Sequence, residues 1–182
     1  MRISNAVVAA TLVMAMAPLA HAGTPCSARA SQVWTTSSQK LTVEALADGP
    51  SCAQAVVVIV IRNSKGNALW IESSNASDIM LFSQGQATNT KSMAAVLKQW
   101  VTSDTRLQQT SALPEWKKGA DQPVAGEFPF YASEGVSQDD YTRMRQAKLP
   151  MFCYVAGMES EACLVLAKDG TIVKIGSQSF PG

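Results

Sequence analysis

The chain reads as an α+β protein built on a central antiparallel β-sheet with helices packed against it. Three observations carry that reading. Residues 55–61 form an unbroken β-branched run, Ala-Val-Val-Val-Ile-Val-Ile. A stripe of apolar residues at helical spacing follows Thr90. The C-terminal thirty residues contain three apolar stretches separated by turn-forming residues, the pattern of a three-strand meander.

The N-terminus has the form of an export signal. Arg2 supplies a positive start, Ala6 to Ala17 an apolar stretch, Pro18 a break, and Ala20-His21-Ala22 a small-x-small cleavage pattern. The apolar stretch is shorter than the roughly 20 residues a membrane-spanning helix needs. Residues 1–22 are therefore expected to be removed, leaving one domain over residues 23–182 in the periplasm or outside the cell. Cys26 is separated from the cleavage site by Gly23-Thr24-Pro25, so it is not placed to carry a lipid anchor, and no stable membrane insertion is expected.

The elements follow in order. Leu41, Val43 and Ala45 alternate with Lys40, Thr42 and Glu44, so two short strands are expected between Ser31 and Leu46. Asp48-Gly49-Pro50 is a turn. The run 55–61 is apolar at every position, which predicts a strand in the middle of a sheet, covered on both faces. The polar loop Arg62 to Asn67 joins it to Ala68–Glu72 as a hairpin. A short helix is expected near Ser77 to Phe82, capped by Ser74 or Asn75. In the next helix Met93, Val96, Leu97, Trp100 and Val101 share one face.

Residues 104–135 break every pattern with Pro114, Pro123, Pro129, Gly119, Gly126 and Gly135, yet carry Trp116, Phe128, Phe130 and Tyr131. This stretch is read as an ordered, irregular excursion laid over the sheet, because aromatic content argues against disorder. Ser137 to Leu149 follows as a helix, with Ser137 and Asp140 at capping-box spacing and Pro150 as the stop. The meander comprises Met151 to Ala156, Ala162 to Ala167 and Thr171 to Gly176, its second turn being Lys168-Asp169-Gly170. This order of elements is similar to that of PAS-like and profilin-like folds, a similarity of order that no motif accompanies.

Four cysteines remain in the mature chain, an even number in an oxidising compartment. Of the three pairings, Cys26–Cys52 and Cys153–Cys163 keep each bridge within one local unit. The second pair would face across a hairpin centred on Met158, with a three-residue loop. No C-x-x-C spacing occurs, and the chain's one histidine, His21, lies in the signal segment.

Without histidine the mature chain has no Ser-His-Asp or Cys-His nucleophile system and no histidine acid–base chemistry. No G-x-S-x-G, H-E-x-x-H, P-loop or G-x-G-x-x-G motif occurs, and no cofactor is expected. Ser64-Lys65 and Lys91-Ser92 are adjacent pairs, a spacing that rarely brings hydroxyl and amine together. Asn75-Ala76-Ser77 fits a glycosylation acceptor, which a bacterial-type signal makes of little consequence. Removing Arg2 leaves 14 basic and 14 acidic residues, a neutral balance that argues against nucleic acid as a partner.

Two functional classes then remain. The first is a non-catalytic binding module, contacting an envelope or secreted protein or a small ligand through Trp116, Phe128, Phe130 and Tyr131. The second is an envelope-glycan hydrolase using paired carboxylates, Glu72 with Asp78 or Glu159 with Glu161. A sensor pocket between sheet and helices would follow from the order of elements alone.

Overall fold

A computed structural model describes residues 24–180, so the expected signal segment, residues 1–22, lies outside the described residues. The architecture is α+β and antiparallel, with the strands divided into two sheets rather than gathered into one. Strands β1 (Cys26–Thr35), β2 (Lys40–Gly49), β3 (Val56–Arg62) and β4 (Ala68–Asn75) pair in sequence order. Helices α1 (Met80–Ser83) and α2 (Thr90–Val101) follow. The second sheet comprises β5 (Thr105–Gln109), β6 (Phe130–Ala132), β7 (Pro150–Val155), β8 (Ser160–Leu166) and β9 (Ile172–Ser179), in the order β5-β7-β8-β9-β6. Helix α3 (Gln138–Gln146) sits between β6 and β7 in the chain.

The local expectations for the helices hold in large part. The stripe Met93, Val96, Leu97, Trp100 and Val101 is buried. Asn89 caps α2: its side chain accepts from the Ser92 amide at 3.0 Å, and the Ser92 hydroxyl accepts from the Asn89 amide at 3.1 Å. Trp100 meets Phe82 and Tyr154 edge-on and donates its indole N–H to the Val155 carbonyl at 2.7 Å. The helix expected near Ser77–Phe82 splits into a 3-10 turn, Ala76–Asp78, and α1. Ser137 caps α3 as expected, but the helix ends before Leu149 because Lys148 turns left-handed (φ 51°).

Strand β3 corrects one expectation. Its odd-numbered residues Val57, Ile59 and Ile61 are fully buried against the core, whereas its other face is only partly covered: Val60 is buried, but Val56 is 43% exposed and Ile71, the β4 partner of Val60, is 63% exposed. The strands covered on both faces are β7 and β8, where Met151–Tyr154 and Ala162–Leu166 are all buried. The second sheet is the middle layer. One face, with Phe152, Tyr154, Ala162 and Leu164, joins the inner face of the first sheet and α2 in one core. The other, with Met151, Cys153, Cys163, Val165 and Ile175, packs on Leu113, Phe130, Tyr141 and Leu149.

Residues 104–135 build that second cover. The stretch is less irregular than expected, because its ends are strands: β5 pairs with β7 at one edge of the sheet, and β6 with β9 at the other. Between them the chain crosses the sheet without ladder partners, so its carbonyls need other donors. Helix α3 supplies them. Tyr141 donates to the Pro114 carbonyl (2.9 Å), Arg145 to that of Leu113 (2.8 Å) and Gln138 to that of Lys117 (2.8 Å). Thr110 is fully buried, donating to the Met144 carbonyl and accepting from the Leu149 amide. At the β6–β9 pair Gly176 leaves room for the Phe130 ring: a Cβ there would lie 2.5 Å from its edge and 2.3 Å from the Tyr131 carbonyl oxygen.

Candidate functional site

Both cysteine pairs are closed as the sequence predicts. Cys26–Cys52 ties the start of β1 to the turn after β2, and Cys153–Cys163 joins directly opposed residues of β7 and β8. The turn between β7 and β8 has the expected form, with Ala156 donating to the Ser160 carbonyl across residues 157–159. Two formed disulfides point to maturation outside a reducing cytoplasm. Among the described residues no helix is long and apolar enough to cross a membrane.

The four aromatic candidates are divided by the fold. Phe130 is core, 3% exposed, over Gly176 and against Tyr141. Trp116 is half-buried, edge-on to Tyr141, its indole N–H donating to the Ala120 carbonyl at 2.8 Å. Phe128 and Tyr131 keep exposed rings. Phe130 therefore presents no surface in this conformation, and the alternation of β6 is the reason: its neighbour Tyr131 points out.

Phe128 leads to a groove that the sequence reading did not assemble. Its ring packs on Phe180 at 5.5 Å. Phe180 is pinned to the β7–β8 turn by its amide, which donates to the Glu159 carbonyl at 2.8 Å. Helix α1 docks on the other side of the same turn, the Met80 amide donating to the Gly157 carbonyl at 3.2 Å. Ser83 of α1 also donates to the Met158 sulfur at 3.6 Å. Between these anchors lies an open groove of about 560 Å³, lined by Met80, Gln84, Val155, Met158, Glu159, Ser160, Glu161 and Phe180. That volume falls within the range of ligand sites. Met158 stands half-exposed at its edge.

The charged groups around the groove are unequal. Arg106 of β5 donates to Glu161 at 2.8 Å and also bonds Gln178, so Glu161 is engaged. Glu159 has an exposed carboxylate with no hydrogen-bond or ion-pair partner among the described residues. A separate, smaller cavity of about 210 Å³ lies under the crossing segment, lined in part by Arg106, Phe128 and Gln178.

The other carboxylates serve structure. Glu72 points inward from β4 and accepts from the Tyr154 hydroxyl (2.6 Å) and the Lys174 ammonium (2.9 Å), linking the two sheets. Burial, with Glu72 adding to it, pushes the Tyr154 hydroxyl far above the usual tyrosine range. Asp78 accepts from Asn75 (2.9 Å) and Ser77 (3.1 Å). Neither Glu72 nor Asp78 lines the groove. Ser92 is occupied in the α2 cap, and Ser64-Lys65 lies in the β3–β4 turn. Among the described residues no group of three or more His, Cys, Asp or Glu gathers to hold a metal ion.

Comparison with protein-family models, curated proteins and solved structures finds no match to this chain. The groove was invisible in sequence for a plain reason. Met80, Met158 and Phe180 are far apart in the chain, and each taken alone reads as an ordinary apolar residue. The one usable signal was Met158, an apolar residue at the centre of a predicted turn.

Proposed function

We propose that this protein is an exported, non-catalytic binding module, acting in the periplasm or outside the cell. Its contact surface is the groove at the β7–β8 turn. The bound element is an apolar segment of another envelope or secreted protein, with a basic residue set against Glu159. The observation that carries this reading is the groove itself: apolar side chains from three separate segments converge around one unpaired carboxylate. Methionines suit such a role, because their unbranched, polarizable side chains adapt to varied apolar shapes. Rigidity supports it too, since the Cys153–Cys163 bridge sits in the hairpin that carries the groove.

The test uses protein labelled at the methionine methyl groups and two short apolar peptides that differ only in carrying lysine or glutamate. The lysine peptide is expected to move the Met80 and Met158 signals and leave those of buried Met93 and Met151 in place. Met158→Asp should abolish the response. Equal responses to both peptides, or none to either, would refute the proposal.

A further inference from the structure

The outer face of the first sheet offers a second surface, separate from the groove. We infer that it is a self-association face, on which two copies of this chain pack sheet against sheet. The pairing register defines its centre. One row across the strands is Ser27, Asp48, Val56, Asn75, and the next is Arg29, Leu46, Val58, Ser73. Val56, Val58 and Leu46 form an apolar patch there, although an antiparallel sheet facing water ordinarily presents polar residues.

One feature selects a second copy as the occupant, and it is charge. Arg29 and Asp48 are exposed and make no ion pair among the described residues, whereas Arg62 and Glu44 on the same face already bond each other at 2.9 Å. A two-fold axis running across the strands between the two rows sets Val56 over Val58 of the second copy and Arg29 beside its Asp48. Both contacts then occur twice, as an isologous interface requires. Because that axis lies at the Ser27 end of the strands, about four residues of each strand overlap, a footprint of roughly 250 Å² that makes the dimer a weak one.

Sedimentation equilibrium decides the matter, with the full chain expressed with its own leader and purified in oxidised form. The wild type should show a monomer–dimer equilibrium with a dissociation constant of about 1–100 µM, as befits a small interface. Val56→Lys and, separately, Val58→Lys should weaken it at least tenfold while melting temperature stays near that of wild type; Val56 is exposed, so this variant has no core to disturb. Arg29→Glu should weaken the dimer, and Arg29→Glu with Asp48→Arg should restore it. Met158→Asp, in the groove, should leave it intact. A protein monomeric at every concentration would overturn the inference. So would a dimer insensitive to Val56→Lys, one that the charge swap fails to restore, or one that Met158→Asp dissolves.

Discussion

Thr110→Val tests how the crossing segment is held. The hydroxyl is wholly buried and works twice: it donates to the Met144 carbonyl at 2.6 Å and accepts from the Leu149 amide at 2.9 Å. Valine keeps the shape and removes both bonds. The Leu149 N–H, which is buried, and the Met144 carbonyl, which is partly so, then lose that partner, and a buried group left unsatisfied costs about 1–3 kcal/mol. A combined loss of about 3 kcal/mol is expected, equivalent to a fall of roughly 6–12 °C in melting temperature for a chain of this size. Calorimetry on the oxidised protein measures the loss, and hydrogen exchange at the Leu149 amide locates it. Thr110→Ser keeps the hydroxyl and should lose only about 1 kcal/mol, the cost of a buried methyl. If valine and serine cost the same, or if valine costs less than about 0.5 kcal/mol, the two bonds do not fasten this segment to α3.

Three further outcomes are expected. Replacing Cys26 and Cys52 by alanine should lower stability by about 3 kcal/mol, and replacing Cys153 and Cys163 by slightly less, since the closed loops differ in length; denaturant titration reads both. Gly176→Ala should displace the Phe130 ring and the β6 edge, because its methyl would overlap them, and the amide signals of 130–132 should shift. Burial raises the Tyr141 and Tyr154 hydroxyls above their unfolded value of 10.0, so the folded state holds protons that the unfolded state releases. Their contribution to stability is therefore complete below pH 10 and falls as the pH rises beyond it. Absorbance at 295 nm should show these two tyrosines ionising only together with alkaline unfolding.

What could be read from the sequence was local. The face of α2 follows from the spacing of Met93, Val96, Leu97, Trp100 and Val101, since a helix repeats every 3.6 residues whatever surrounds it. The Cys153–Cys163 bridge follows from ten residues folding back on themselves about Met158. The placing of the chain's one histidine, His21, in the expected signal segment narrowed the chemistry to look for before any fold was known. Tertiary structure decided the layering. Residues 55–61 and 151–154 are both continuous apolar runs, yet only the second is covered on both faces. The difference arises because the chain from Thr110 to Pro129 crosses the second sheet and leaves the first one bare. Strand β5 is too polar and β6, at three residues, too short to announce themselves, and both exist because β7 and β9 offer them edges. The groove has the same origin: periodicity reports how neighbours along the chain are spaced, whereas the meeting of Met80, Met158 and Phe180 depends on how distant segments dock.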